Sequence, residues 1–345
     1  MLLGNLSNSI SSGRNKHRDA HGQYPVFGST GIIGYSSTYE YEGPVILVAR
    51  EGANAGTLNF ASGQYDVSDN TLIITIKQNV YDYNFAYNQL THYKLNKLVF
   101  GSGQPLITSK QLKNIRIPVP PLAEQRKIAG GLGVWDKAIE KQARLIEKLA
   151  LRKRALMQRL LSAKLRLPGF SEPWKKVKLG DVAELYQPQT IQSEDLSQTG
   201  YPVYGANGLI GYYNNYNHEY PQVVITCRGS SCGTVNFTPG KCWITGNAMV
   251  LNVDNNRDVN KSFFYYLISN SSFVNLISGS GQPQIVRQPL LKFELRIPPL
   301  KEQTAIAEVL TAADREIDLA KEKLERLRRQ KRGLMQQLLT GKKRI

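Results

Sequence analysis

Tyr24-Pro-Val-Phe-Gly-Ser-Thr-Gly-Ile-Ile-Gly-Tyr35 returns as Tyr201-Pro-Val-Tyr-Gly-Ala-Asn-Gly-Leu-Ile-Gly-Tyr212, identical at 8 of 12 positions. Working outward, Gly101-Ser-Gly-Gln-Pro105 returns as Gly279-Ser-Gly-Gln-Pro283, and Pro121-Leu-Ala-Glu-Gln125 as Pro299-Leu-Lys-Glu-Gln303. Leu156-Met-Gln-Arg-Leu-Leu161 returns as Leu334-Met-Gln-Gln-Leu-Leu339. The offset is 177 or 178 residues throughout, so the 345-residue chain is two copies of one module, each long enough for its own core. Duplication implies two equivalent binding sites.

The net charge of +17 favours a polyanionic partner, although acidic proteins also satisfy it. No apolar stretch approaches the ~18 residues that a membrane span needs, and MLLGNLSNSISSG lacks the pattern of a signal peptide, so a cytoplasmic chain with no membrane partner is expected. Cys227, Cys232 and Cys242, with His218 nearby, lack the paired spacing of a zinc module. The first copy has no cysteines at the matching places. Ordinary half-buried thiols, and no metal, are expected.

Each module reads as an α+β domain dominated by strands, followed by a long helix. Val45–Val48, Thr71–Ile76, Val223–Thr226 and Ala248–Val253 have the short apolar runs of strands, separated by Gly-containing turns. Short helices are expected at 82–95 and 258–277. Pro118-Val-Pro-Pro121 and Pro298-Pro299 stop the globular parts. A heptad seam follows, with Ile139, Ile146, Leu149 and Leu156 in the first copy and Ile317, Leu324, Leu327 and Leu334 in the second. The expected architecture is thus two β-rich domains and two long helices in an intramolecular antiparallel coiled coil with a pseudo-twofold cyclic layout. Its boundaries are 1–118, 119–163, 164–297 and 298–345, with the interdomain linker at the start of the third. Helices of this length extend about 60 Å at 1.5 Å per residue and could act as a ruler.

Two features interrupt the seam. Lys153 and Lys331 occupy one seam position in both copies, either fixing register or snorkelling to water. Gly130, Gly131 and Gly133 each cost a helix up to ~1 kcal/mol, which predicts fraying or a kink at 129–134. Residues 122–166 hold 12 Lys+Arg against 4 Asp+Glu and residues 300–345 hold 12 against 7, so the helices carry much of the positive charge.

The duplicated Pro-Leu-x-Glu-Gln box at each helix start, Leu-Met-Gln-x-Leu-Leu near each exit, and the opening Trp174-Lys-Lys-Val-Lys-Leu-Gly-Asp181 resemble a Type I restriction–modification specificity subunit over essentially the whole chain. The resemblance implies a non-catalytic reader of double-stranded DNA in which each β-rich domain takes one half of a split target. It also implies two docked modification (methyltransferase) subunits and, in the larger complex, restriction (translocase/nuclease) subunits. S-adenosylmethionine would sit on the methyltransferase, with no cofactor on this chain. One departure is clear: the first copy lacks a counterpart of Phe170-Ser-Glu-Pro-Trp174, so its edge is expected to be less well anchored.

Base reading needs polar side chains on rigid loops, with cations to fix the phosphates. By position, Arg50, Glu51 and Asn54 pair with Arg228, Ser230 and Ser231, each set following a buried-type strand. Gln104 pairs with Gln282, Gln284 and Arg287 in and after the Gly-Ser-Gly-Gln-Pro loops, and Lys110, Lys113 and Lys292 are candidates for phosphate contact. Two readers of different half-sites should differ where they read, which favours Glu51/Arg228, Asn54/Ser231 and Leu106/Gln284 over the shared residues. The shared loop reads as a turn that both folds need more than as a specifying element. For Tyr212-Tyr-Asn-Asn-Tyr216, packing is expected over stacking on bases. The sequence carries no amino-methyltransferase box, Walker A sequence or nuclease carboxylate cluster, so catalysis by this chain is not expected. The rival is a two-headed coiled-coil scaffold for protein or glycan.

Overall fold

A computed structural model of the chain describes all residues except 16–18, 20, 101–104, 206 and 280. The described chain resolves into two compact units, one formed by residues 1–144 with 322–345 and the other by 145–321. Each combines a globular part with segments of two 39-residue helices, Leu122–Leu160 and Leu300–Leu338.

In the first unit, Ser7–Ser12, Thr71–Ile76, Val45–Ala49 and Leu58–Ala61 form a four-stranded sheet in that order, entirely antiparallel. The central strand Val45–Ala49 is buried at every position, which explains its continuous apolar run. A second sheet runs Gly31–Ser36, Tyr24–Gly28, Gln64–Val67, Tyr41–Glu42. Its hairpin closes on Gly31, whose φ of +100° a side chain rarely adopts. Within the hairpin, Ile33 folds over Gly28, where an added Cβ would come within 2.6 Å of its Cδ1. The duplicated motif is therefore a self-packed hairpin.

The second unit repeats the plan. Glu184–Tyr186, Ala248–Asn252, Val223–Thr226 and Val235–Phe237 form one sheet, and Gly208–Tyr213, Tyr201–Gly205 and Trp243–Ile244 another. The strand Ala248–Asn252 stops one residue short of expectation. The expected short helices are observed as Tyr83–Tyr93, capped by Asp82, and Lys261–Ser269, capped by Asn260. The flanking residues form 3-10 turns at Leu95–Leu98 and Val274–Leu276.

Leu122–Leu160 is helical throughout, so the fraying expected at 129–134 does not occur. Ile128 and Leu132, on either side of Gly130 and Gly131, are 1 % and 0 % exposed, tying that turn into the first unit's core. The seam residues follow the heptad: Leu149, Ile317 and Leu324 are buried, and Ile139, Ile146, Leu156, Leu327 and Leu334 half-buried. Within the second unit, Ile146 and Leu149 pack with Ile317 and Ala320.

The paired seam lysines are ion-paired across helices, not simply snorkelled. Lys153 meets Asp314 at 2.5 Å in the second unit, and Lys331 meets Asp136 at 2.5 Å in the first. The pairs correspond at an offset of 178. In each unit, the contact fixes the register of the two helix segments at that level.

The Pro-Leu-x-Glu-Gln box also has a physical account. Gln303 Oε1 accepts from the Asn260 amide at 2.9 Å, while its Nε2 donates to the carbonyls of Asp258 and Pro298, both at 2.9 Å. Gln125 does the same with the Asp82 amide and the carbonyls of Val80 and Pro120. Each glutamine thus fastens the cap of a short helix to the start of a long one. The preceding glutamates hold arginines: Arg166 makes a two-pronged contact to Glu302 at 2.6 and 2.8 Å, and Arg344 to Glu124 at 2.6 Å on both prongs.

The corresponding edges of the two units pair differently. In the second unit, Lys175–Lys178 pairs with Glu294–Ile297 over four residues, and Trp174 packs edge-on against Phe263. In the first, the ladder shrinks to the bridge Leu2↔Arg116 and a 2.7 Å bond from the Met1 ammonium to the Ile117 carbonyl.

Candidate nucleic-acid interface

The loop after the buried central strand is built alike in both units. In the first, Gly52 and Gly56 take φ of +79° and +89°, and the amides of Ala55 and Thr57 return to the carbonyls of Gly52 and Asn54. The loop is stitched to the segment after residue 104: Gly52 N–H donates to the Pro105 carbonyl at 3.0 Å, Ile107 N–H to the Arg50 carbonyl at 2.9 Å, and Glu51 bridges Leu106. In the second unit, Gly229 N–H donates to the Pro283 carbonyl at 3.0 Å, Ile285 N–H to the Cys227 carbonyl at 2.9 Å, and Arg228 bridges Gln284. The stitching uses backbone groups, so it persists while the side chains vary. The result is a rigid tip with exchangeable side chains.

This places the sequence candidates as follows. Glu51 faces Leu106 and Arg228 faces Gln284, so the positions that differ between copies are direct cross-strand neighbours. Arg50 and Glu51, both half-buried, pair at 3.4 Å. Asn54, Arg228, Ser230, Gln282, Gln284 and Arg287 are exposed, and Ser231 is half-buried. Arg287 opens the short helix Arg287–Leu291, directly after the stitch. Lys110 stands in the first turn of the matching helix Ser109–Lys113, held by a Thr108–Gln111 capping box. Lys113 and Lys292 are exposed but lie at the far ends of these helices, away from the stitch. Gln104 lies outside the described residues.

Phe100 was not anticipated. It bridges Leu106 and is 52 % exposed, while its counterpart Ser278 bridges Gln284. In sequence, Val99-Phe100 reads as core; the difference between copies was the available signal.

The tyrosine-rich patch packs: Tyr213 meets Trp243 edge-on at 5.2 Å and Tyr216 meets Tyr201 at 4.8 Å. The cysteines are separated in role. Cys227 belongs to the large core, where burial pushes its thiol up to about 11, whereas Cys242 bridges His218 in a smaller cluster. His218 is itself held between Tyr186 and Asn217, and burial lowers its pKa against a weaker opposing pull from Asp254. Among the described residues no group of side chains could hold a metal ion, and no helix is long and apolar enough to cross a membrane.

Residues 8–150 and 171–329 each match the family described as the Type I restriction modification DNA specificity domain. The chain belongs to this family. It is 25 % identical to the Type I restriction enzyme MjaVIII specificity subunit of Methanocaldococcus jannaschii, covering 87 % of this chain and 79 % of that one. A second relative from that organism, the putative MjaX specificity subunit, is 27 % identical over 80 % of this chain and 72 % of its own. The fold is similar to the crystal structure of a Type I restriction–modification S subunit from M. genitalium, with a TM-score of 0.69 and 20 % identity over 98 % of this chain and 95 % of that one. It is also similar, with a TM-score of 0.60 and 19 % identity over 98 % and 96 % of the chains, to a chain from a structural study of complex assembly and conformational transition of the type I R-M system. The specificity subunit accordingly carries its family's DNA specificity domain twice.

Proposed function

We propose that this specificity subunit reads a bipartite double-stranded DNA target, one half-site per unit, and presents it to two methyltransferase subunits, with restriction subunits joining the larger complex. It contributes no catalytic group and binds no cofactor; S-adenosylmethionine belongs to the methyltransferase. The two 39-residue helices set the number of unread base pairs between the half-sites.

One observation carries this reading. The same backbone-stitched tip occurs twice, and its cross-strand side chains, Glu51 with Leu106 and Arg228 with Gln284, are where the copies differ. A carboxylate favours a cytosine amino group, whereas arginine and glutamine favour guanine and adenine edges. The two tips are therefore suited to different bases on one scaffold. Lys110 and Arg287 neutralise phosphates beside them.

Mapping N6-methyladenine in DNA from cells co-expressing this chain and its methyltransferase tests the proposal. A split motif that depends on this chain is expected. Introducing Glu51→Arg with Leu106→Gln should change one half of the motif and leave the other unaltered. Unchanged methylation on deleting the chain would refute DNA reading and favour a protein- or glycan-binding scaffold.

A further inference from the structure

Residues 178 positions apart in the two units share most of their packing, and one place breaks the match. In the second unit, Tyr266 is 4 % exposed. Its hydroxyl donates to Asp314 Oδ2 at 2.7 Å and lies 3.3 Å from Thr311 Oγ1, and Lys153 Nζ is 5.3 Å from the ring centroid. The first unit retains the carboxylate and the ammonium, as Asp136 and Lys331. It has Asn88 in place of Tyr266 and Gly133 in place of Thr311.

A cavity of 650 Å³ results, walled by Phe60, Tyr87, Asn88 and Val134, with Gly130 and Gly133 on its helical side and Asp136 on its rim. A Cβ on either glycine would meet no atom within 4 Å, so no close approach within the chain requires these helix-weakening residues. Val134 is 68 % exposed. Asp136 spends Oδ1 on Lys331, and no hydrogen bond among the described residues engages Oδ2. The cavity thus offers aromatic walls, an available carboxylate oxygen and a nearby ammonium: the surroundings of Tyr266 without the tyrosine. Asp82 and Asp136 are balanced in the lining by Arg126 and Lys137, so the cavity carries no net formal charge and suits a neutral hydrogen-bond donor such as a hydroxyl.

We propose that this cavity receives a tyrosyl side chain from another polypeptide, its ring against Tyr87 and Phe60 and its hydroxyl donating to Asp136 Oδ2. The two units then differ in kind. One supplies its own tyrosine, and the other is completed by a partner, so that a pseudo-symmetric chain presents one distinctive docking point.

Titrating the full chain with N-acetyltyrosinamide and N-acetylphenylalaninamide, followed by NMR, tests this directly. The tyrosine amide should bind saturably and about tenfold more tightly than the phenylalanine amide, the margin of a charge-assisted hydrogen bond. Asn88→Tyr with Gly133→Thr, which rebuilds the second unit's arrangement, should abolish binding without lowering the thermal midpoint. If that variant does not fold, Asp136→Asn should erase the tyrosine preference. Absent binding, equal affinity for the two amides, undiminished binding by a folded double variant, or a preference surviving Asp136→Asn would each overturn the proposal. DNA binding enters none of these readouts.

Discussion

Replacing Gln303 by leucine tests whether the duplicated Pro-Leu-x-Glu-Gln box is a structural clamp. Gln303 is 1 % exposed and engages the Asn260 amide and the Asp258 and Pro298 carbonyls. Leucine matches its bulk but offers no partner to any of them. Asp258 is exposed, so its carbonyl can turn to water; Pro298 is buried and Asn260 half-buried. Two stranded groups at about 1–3 kcal/mol each cost roughly 2–6 kcal/mol. Apolar burial by leucine returns about 1 kcal/mol of this, leaving a loss of roughly 1–5 kcal/mol. For a unit of this size that lowers the melting temperature by about 2–20 °C, read by calorimetry on the full chain. Lys176→Ala, which removes one member of an exposed pair with Glu294, serves as the control and should shift stability by less than about 0.5 kcal/mol. If Gln303→Leu melts within 2 °C of the unaltered chain, roughly the control's margin, the clamp argument is wrong. The repetition of the box would then reflect something outside the chain.

The remaining predictions concern charge and protonation. Lys110→Ala and Arg287→Ala should each reduce the slope of log affinity against log salt by about 1 if they meet phosphates, whereas Lys113→Ala and Lys292→Ala, distant from the stitch, should leave it nearly unchanged; fluorescence anisotropy from 50 to 200 mM salt checks this. His218 has a lowered folded-state pKa, so the unfolded chain binds more protons below about pH 6.5. Its contribution is therefore intact above the unfolded pKa and lost as pH falls toward the folded one. Urea titrations should show this acid-side loss, and His218→Gln should flatten it. With iodoacetamide at pH 8, half-buried Cys232 should alkylate before buried Cys227 and Cys242, and DNA should slow it because it lies in the 228–233 loop; peptide mass spectrometry reads both.

The parts of the fold legible in sequence were those governed by one-dimensional patterns. The 3-4 alternation fixed the helical seam because a helix face is a periodic object, and the offset of 178 defined the repeat. The fraying expected at Gly130 to Gly133 did not occur because propensity is local, whereas Ile128 and Leu132 are held by a core drawn from distant segments. Lys153 and Lys331 could not be decided from spacing alone, since their partners lie 161 and 195 residues away. The same limit governs the interface. Comparing copies picked out positions 51, 106, 228 and 284, but only backbone bridges make them neighbours, and Phe100 was hidden by its apolar type. Each unit therefore divides its residues between a shared framework and a variable tip. Shared residues, such as Gln125 with Gln303 and the paired lysines, hold the backbone, and the unshared ones stand where that backbone is already fixed. Under the proposed function, a module arranged this way changes what it reads by substitution at the tip without refolding, provided the clamp beneath it remains intact.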